Sequence, residues 1–130
     1  MNNAALSDGD WKIMKLLWRS APQTLGTLTK TLSVETGWTK ATVFVMLKRL
    51  IAKNAVRMED DGKYQQYYPV LMQKEAETGE TDSFLSRVYN GSVSMMVSSM
   101  AGRSALSEEE IDALRKILDR AEQERKEETP

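Results

Sequence analysis

The residues best suited to binding a partner lie in residues 39–53, where small side chains precede basic ones. If Val43, Leu47 and Leu50 form the buried side of a helix, a turn of about 100° per residue points the other positions outward. The predicted outward and flanking residues are Thr39, Lys40, Ala41, Thr42, Val45, Lys48, Arg49 and Ala52. A helix face that begins with small residues and ends with basic ones is suited to the major groove of DNA.

Each residue type on this face matches a feature of duplex DNA. Ala41 and Val45 are suited to the methyl groups of thymine, and the Thr42 hydroxyl can donate to or accept from a base edge. Basic side chains bind phosphates, which provides affinity and register without reading sequence. The residues expected to contact the DNA backbone are Lys48, Arg49 and Lys53 on the helix and Arg57, Lys63 and Tyr64 beyond it.

The residue types present argue against catalysis. The sequence contains no cysteine and no histidine, which excludes a zinc finger, a thiol nucleophile and a Ser-His-Asp triad. The carboxylates, lysines and hydroxyls are scattered over different predicted elements and form no recognisable catalytic spacing. The acidic residues within 108–112 are interpreted as first-turn charge that complements a helix dipole. We therefore expect no enzyme activity, no metal and no cofactor.

Three helices are predicted in the first part of the chain. Ser7 and Asp10 form an S-x-x-D capping pattern before the apolar stretch WKIMKLLW, and this helix must end before Pro22. A second helix is predicted over about residues 24–36, and a third over about residues 39–53. The third helix carries the outward face described above.

A β-hairpin is predicted after these helices, because the apolar period changes to about two in residues 55–58 and 63–68. The segment between them, Glu59-Asp60-Asp61-Gly62, contains a D-G turn, which is a strong hairpin signal. Pro69 closes the second strand, and no further strand is expected after it. Three helices followed by a hairpin form the winged helix-turn-helix pattern, in which the third helix enters the major groove.

The second half of the chain is expected to be helical. A helix is predicted over residues 73–89, followed by a Ser/Met-rich segment and a last helix capped by Ser107. The tail QERKEETP has no apolar face and is expected to fray. The expected architecture is mostly α with a small β-hairpin wing: a winged-helix DNA-binding domain in residues 1–70 and a helical dimerisation region in residues 71–130.

The net charge of −1 conceals a division along the chain. Residues 1–70 contain ten Lys and Arg and six Asp and Glu, a balance of +4, whereas residues 71–130 contain eight and thirteen, a balance of −5. A basic half joined to an acidic half suggests that the first meets a polyanion. No apolar run reaches the roughly 20 residues of a membrane helix, and the first residues lack a signal core. We therefore expect a cytoplasmic protein without membrane insertion.

The apolar residues of the second half predict a homodimer. They are too numerous for a few short helices to bury unless those helices pack on another copy of the chain. The expected dimerisation residues are Phe84, Leu85, Val88, Val93, Met96, Val97, Ile111, Leu114 and Leu118. The alternative is that these helices pack against the winged helix of the same chain.

Five segments, in order, resemble the penicillinase-repressor family, which includes methicillin-resistance and copper-responsive relatives. The segments are Leu6-Ser7-Asp8-x-x-Trp11-x-Ile13-Met14-x-x-Leu17-Trp18, Trp38-Thr39-x-x-Thr42-Val43-x-x-x-Leu47-x-Arg49-Leu50, Gly62-Lys63-x-x-x-Tyr67-x-Pro69, Ser83-Phe84-Leu85-x-Arg87 with Asn90-Gly91-Ser92, and Leu106-Ser107-x-x-Glu110-Ile111-x-x-Leu114. Together they cover nearly the whole chain, from about residue 6 to residue 118.

The resemblance implies a homodimeric repressor that binds a palindromic operator through its winged helix. Members commonly silence genes for a β-lactamase, a penicillin-binding protein or a copper pump. In the β-lactam branch, a membrane sensor-protease system triggers cleavage in the C-terminal region, typically at an Asn-Phe bond. The corresponding dipeptide here is Ser99-Met100. Copper-responsive members carry a cysteine cluster, which this chain lacks.

The start of the recognition helix departs from the family pattern. The family usually has Pro-Lys-Thr-Val-x-Thr, where this chain has Lys40-Ala41-Thr42-Val43-Phe44-Val45. Because only Thr42 and Val43 persist, the resemblance leaves the operator sequence open.

A second function remains open from the residues alone. Winged helices also act as protein-docking modules without specific DNA binding, because a fold does not fix a function. Retention on duplex DNA that disappears above moderate salt for every sequence tested would favour this alternative.

Overall fold

The structure, a computed structural model, describes residues 5–128 and has six helices and three strands in that range. In chain order they are α1 (Asp8–Arg19), β1 (Gln23–Thr24), α2 (Leu25–Thr36), α3 (Lys40–Ala52), β2 (Val56–Asp60), β3 (Gln65–Pro69), α4 (Gln73–Tyr89), α5 (Val93–Gly102) and α6 (Glu108–Glu128). The chain divides into two compact units, Met1–Thr81 and Asp82–Pro130. The assignment of DNA binding to residues 1–70 and of dimerisation to residues 71–130 stays a prediction.

Reciprocal hydrogen bonds begin α1 and satisfy backbone N–H groups that a helix start leaves unpaired. The Ser7 hydroxyl accepts from the Asp10 N–H at 3.1 Å, and the Asp10 carboxylate accepts from the Ser7 N–H at 3.0 Å. The predicted capping pattern is therefore confirmed. The helix ends at Arg19, before Pro22, also as predicted.

Threonine hydroxyls begin both α2 and α3. Thr24 accepts from the N–H of Thr27, and Thr39 accepts from the N–H of Thr42, each at 3.2 Å. Gly37 closes α2 with a φ of 74°, in the left-handed region that favours glycine. The short turn after Gly37 leads directly into α3, so the predicted second and third helices are confirmed.

The sheet is antiparallel with strand order β1-β3-β2, and it contains one strand that the sequence did not predict. The two-residue strand β1 pairs Gln23 with Tyr67 and Thr24 with Gln66. A strand of two residues is too short to show an alternating pattern, and its pairing partner lies more than forty residues away. β1 joins the start of α2 to the wing.

The predicted hairpin is present, but its turn lies two residues later than expected. β2 continues through Asp60, and β3 starts at Gln65, so residues 61–64 form the connection. The Asp61 carboxylate holds this connection by accepting the backbone N–H groups of Lys63 at 2.9 Å and Tyr64 at 2.7 Å. These hydrogen bonds to Tyr64 and Lys63 lower the pKa of Asp61 from its usual 3.8.

The helices and sheet of the first unit enclose one hydrophobic core. Its largest fully buried side chains are Ile13, Met14 and Leu17 of α1, Leu28 of α2, and Val43, Leu47 and Leu50 of α3. Tyr67 of β3 completes this core, and burial raises the pKa of its hydroxyl. The Trp18 indole N–H donates to the Leu71 carbonyl at 2.8 Å, which ties the segment after the wing to α1.

An ion pair joins the start of α1 to the end of α3. The Lys53 ammonium donates to the buried Asp10 carboxylate at 2.6 Å and to the Ala5 carbonyl at 3.0 Å. Burial is the largest single effect on the pKa of Asp10 and raises it. The hydrogen bonds from Lys53 and Ser7, together with the Lys53 charge, outweigh burial and lower that pKa from its usual 3.8.

Helices also form most of the second half, and α4 extends over the predicted residues 73–89. The Ser/Met-rich segment forms α5, whose start is capped by the Ser92 hydroxyl accepting from the Met95 N–H at 3.2 Å. None of the residues 82–128 is buried. Helices of this unit therefore present most of their apolar side chains at the surface.

The tail is helical rather than frayed, because α6 runs through Glu128. Glu, Gln, Lys and Arg are good helix formers even without an apolar face. Acidic residues at the start of α6 and basic residues near its end, Arg125 and Lys126, also complement the helix dipole. The expected fraying of residues 123–128 was therefore wrong, and the last two residues of the tail lie outside the described residues.

Asp10→Asn should lower the free energy of unfolding by about 1–3 kcal/mol at pH 7, because Lys53 loses its charged partner in a partly buried site. Because the pKa of Asp10 is lowered by folding, its ionisation stabilises the fold above pH 3.8 and ceases to do so as the pH falls through the lowered value. Urea unfolding from pH 7 down to about pH 2 should therefore show the two proteins converging in acid.

Glu35→Gln is the matched control, because Glu35 pairs with Lys12 at 3.2 Å on the surface. It should change the free energy of unfolding by less than about 0.5 kcal/mol. Equal stability of the wild type and Asp10→Asn at pH 7 would contradict a stabilising Asp10–Lys53 pair.

Candidate nucleic-acid interface

The outward face of α3 is exposed to solvent. Val43, Leu47 and Leu50 have no exposed surface, whereas Val45, on the opposite side, is 52% exposed. The residues predicted to contact DNA at α3 and its cap are all exposed: Thr39, Lys40, Ala41, Thr42, Val45, Lys48 and Arg49. The structure therefore brings these side chains together on one accessible surface, and their contact with DNA stays a prediction.

A shallow depression of about 320 Å³ lies on this surface. The residues that line it are Ala41, Thr42, Val45, Met46 and Arg49. Met46 is buried while the other four are exposed, so Met46 forms the floor. The lining thus combines aliphatic groups, one hydroxyl and one guanidinium, which are groups able to meet base edges and phosphates.

Phe44 is an exposed aromatic residue on α3 that the sequence analysis did not assign to the interface. Its side chain is 39% exposed, and the Lys48 ammonium lies 5.5 Å from the centre of its ring. This cation–π contact restrains Lys48 near the surface of α3. The spacing of Phe44 and Lys48, four residues apart in a helix, is the sequence signal from which the contact was predictable.

Lys53 is not available for the phosphate contact that the sequence suggested. Its ammonium is occupied by the Asp10 carboxylate and the Ala5 carbonyl. The sequence placed Lys53 correctly at the end of the helix but gave no signal that a carboxylate more than forty residues earlier would lie against it. Lys53 therefore contributes to the stability of the fold and not to a free basic surface.

The wing carries the three predicted residues in two different settings. Lys63 and Tyr64 lie in the connection between β2 and β3 rather than in a strand, with the Lys63 ammonium 5.3 Å from the ring centre of Tyr64. Tyr64 is 53% exposed. Lys63 and Tyr64 therefore remain accessible at the tip of the wing.

Arg57 is engaged within the wing itself. Its guanidinium pairs with the carboxylate of Glu59 and lies 4.1 Å from the centre of the Tyr68 ring. Asp60 and Asp61 follow Glu59 on the same hairpin. The wing is therefore less basic than its predicted contacts suggest, and the basic character of the first unit is expressed more clearly on α3.

The second unit presents apolar side chains at its surface. The predicted dimerisation residues are exposed (Phe84, Val88, Val93, Ile111 and Leu118) or half-buried (Leu85, Met96, Val97 and Leu114). Their part in dimerisation stays a prediction. Ser99 and Met100, the dipeptide that corresponds to the family's cleavage bond, lie inside α5, where Met100 is 39% exposed.

The described part of the chain also bears on metal binding and membrane insertion. Among residues 5–128, no group of three or more Asp and Glu side chains is placed to hold a metal ion. Within the same range, no helix is both long and apolar enough to cross a membrane.

The family model described as Penicillinase repressor matches residues 6–120. The chain belongs to the penicillinase repressor family. The penicillinase repressor of Bacillus licheniformis is 32% identical over 122 residues, which cover 94% of this chain and 95% of that protein. The methicillin resistance regulatory protein MecI of Staphylococcus aureus (strain N315) is 24% identical over 115 residues, or 88% and 94% of the two chains.

A solved structure is also similar to part of the chain. The solution structure of the DNA binding domain of the repressor BlaI is 28% identical, with a TM-score of 0.49, and the match covers 54% of this chain and 85% of that one. The resemblance to the penicillinase repressor family noted in the sequence is confirmed by the family model. The winged-helix fold is seen directly in the three helices and the hairpin of the first unit.

Glu59→Gln should strengthen binding to duplex DNA and make the slope of log affinity against log salt steeper by up to about 0.9, because the Arg57 charge is no longer neutralised. Fluorescence anisotropy across a salt series measures both quantities. Asp112→Asn is the control, since it also frees a cation, Lys116, from an exposed pair at 3.9 Å, but on α6. An unchanged slope for Glu59→Gln would contradict a contact between Arg57 and the DNA backbone.

Proposed function

We propose that this protein is a DNA-binding transcriptional repressor that acts as a homodimer on a palindromic operator. The observation that carries the proposal is the accessible face of α3, which begins with small residues and ends with basic ones in a chain of the penicillinase repressor family. A helix enters the major groove only if its outward side is free of the protein's own structure. A repressor that binds operator DNA acts in the compartment that contains this DNA, so we place the protein in the cytoplasm.

The residues of this face divide into two roles. Ala41, Thr42 and Val45 lie near the start of α3 and are small enough to allow close approach to base edges. Lys48 and Arg49 lie one to two turns later and bind phosphates, which fixes the register of the helix in the groove. Thr39 caps the start of α3, and Lys40 adds one more cation to the same surface.

The wing adds contacts to the flanking DNA backbone. Lys63 and Tyr64 are accessible at its tip, where a lysine and a phenol can both donate to phosphate oxygens. Arg57 contributes more weakly because Glu59 already neutralises it. We therefore assign the larger part of the affinity to α3.

The second unit supplies the dimer contacts. A unit in which no residue from 82 to 128 is buried lacks the apolar core that stabilises a domain of this size. Apolar residues recur on α6 at Ile111, Leu114 and Leu118, a spacing of three and four residues that forms one stripe. Packing of this stripe and of the apolar residues of α4 and α5 against a second copy provides the missing core.

Dimerisation gives the repressor its operator affinity. One winged helix reads only a few base pairs, whereas a two-fold dimer reads two half-sites at a fixed spacing. The second half-site is bound at a high effective concentration, which raises occupancy by about 10²–10⁴. Separation of the second units therefore releases DNA without any change in α3.

We propose the Ser99–Met100 bond as the point at which a membrane sensor-protease system releases the repressor of β-lactamase or penicillin-binding-protein genes. A protease binds its substrate as an extended chain, so this part of α5 must unwind first. α5 has no buried residue and several serines, which makes local unwinding inexpensive. Cleavage there would separate α6 and its apolar stripe from the winged helix.

Selection of duplexes from random DNA should recover an inverted repeat, and Lys48→Ala and Val45→Ala should then act differently on it. Lys48→Ala should weaken binding to all duplexes by a similar factor and reduce the salt slope by about 0.9, since it removes one phosphate contact. Val45→Ala, and likewise Thr42→Ala, should change the order of preference among sites. Binding constants for a panel of single-base variants distinguish these outcomes.

Two results would instead favour a winged helix that docks to protein. The first is that the selected duplexes share no inverted repeat. The second is that the protein is released from every duplex above moderate salt. Unchanged binding after replacement of Thr42, Val45 and Lys48 together would show that α3 is not the recognition helix.

Leu118→Asp should convert the protein to monomers at micromolar concentration, because it places a carboxylate in the apolar stripe of α6, where Leu118 is 65% exposed in the single chain. Sedimentation equilibrium measures the change, and operator affinity should fall by up to about 10²–10⁴. Arg120→Asp places the same group on the same helix outside the stripe and should leave the dimer intact. A Leu118→Asp protein that remains dimeric would remove α6 from the interface.

A further inference from the structure

The depression on α3 is lined in part by the aliphatic side chains of Ala41 and Val45. Ala41 and Val45 are one helical turn apart, and both are exposed on the face opposite the core. Met46, which is buried, also lines the depression. Neither Ala41 nor Val45 has a side-chain donor or acceptor, so these positions cannot read a base by hydrogen bonding.

One feature of the major groove is complementary to such a surface. The base edges present hydrogen-bond donors and acceptors, apart from the methyl group on C5 of thymine. A methyl group placed against Ala41 and Val45 leaves contact with water and meets carbon atoms. A base edge that presents only polar groups would lose hydrogen bonds to water there without replacement.

We propose that the depression formed by Ala41, Val45 and Met46 is a receptor for the C5-methyl group of a pyrimidine, so that operator recognition depends on thymine at one position of each half-site. The inference rests on the proposed binding of α3 in the major groove. It also predicts that 5-methylcytosine is accepted where cytosine is not, because the two bases differ only in this methyl group.

The polar neighbours of the depression fix the depth and direction of approach. Thr42 and Arg49 also line it, so a hydroxyl and a guanidinium accompany the aliphatic side chains. Arg49 can bind a phosphate or a guanine edge beside the methyl group, and Thr42 can bond to an adjacent base. The aliphatic surface therefore selects the methyl-bearing base while its polar border holds the helix in register.

Gly9 of α1 lies against the end of the Met46 side chain. A Cβ atom at residue 9 would come within 2.5 Å of Met46 Cε and 3.2 Å of Trp38 Cη2. The glycine therefore lets the end of Met46 fold under α3 towards α1. Met46 is 8% exposed, whereas the other residues that line the depression are exposed.

The experiment uses the full-length protein and one duplex recovered by selection from random DNA, with each thymine replaced in turn by deoxyuridine. Loss of the methyl group at the position over Val45 should weaken binding about three- to tenfold, while other positions change less than about twofold. Cytosine and 5-methylcytosine at the same position provide a second comparison, and the methyl group should strengthen binding by a similar factor.

Val45→Thr tests whether the depression causes the preference for thymine over uracil. The substitution replaces one methyl group by a hydroxyl in a side chain of nearly the same shape. Its affinity ratio for thymine against uracil should fall towards one. Lys48→Ala is the matched control on the same helix, and it should weaken both duplexes equally and preserve the ratio. Circular dichroism confirms that both variants are folded.

The experiment distinguishes failure of the methyl receptor from failure of the proposed repressor function. If the wild type binds the duplex but thymine and uracil are equivalent at every position, the methyl receptor is wrong and the repressor function stands. If no duplex is bound with sequence preference, the proposed function itself fails. A full thymine preference retained by Val45→Thr would also overturn the role of this depression.

Discussion

Burial of one side of α3 is the constraint on which the rest of the molecule depends. Val43, Leu47 and Leu50 are fully buried in the core with residues of α1 and α2. Because a helix is rigid over its thirteen residues, fixing this side also fixes the direction of every other side chain on it. Exposure of Ala41, Val45 and Lys48 is therefore a consequence of core packing. No further interaction is required to keep these side chains accessible.

Electrostatics divides the cations of the first unit between stability and binding. Lys53 is held by the buried Asp10, and Arg57 is paired with Glu59 on the wing. Lys48 instead lies over a neutral ring, that of Phe44, which restrains it without cancelling its charge. A count of basic residues cannot separate these cases, because charge is neutralised by partners that are distant in sequence. The usable positive surface is consequently smaller than the balance of residues 1–70 suggests.

The sequence was sufficient to predict those structural elements that depend on interactions between neighbouring residues. The Ser7 capping box and the period of α3 each depend on residues within one or two turns, and each was predicted correctly. Long-range pairing was not predictable in this way: β1 forms only because β3 offers Gln66 and Tyr67 as partners. The last turns of α6 were predicted wrongly because the absence of an apolar face was weighed more heavily than intrinsic helix propensity.

The two units of the chain differ in how much of their apolar surface is buried. The first has a core of fully buried side chains, so its α3 face is present whether or not a second copy is bound. The second has no buried residue among 82–128 in the single chain, and in the proposed dimer it would gain a core by association. The proposed assembly is most easily reversed in the second unit, because the stability of that unit depends on its contacts with the partner copy. In the proposed dimer, control of DNA binding through dimerisation would leave the α3 face unchanged, so release and specificity can change independently.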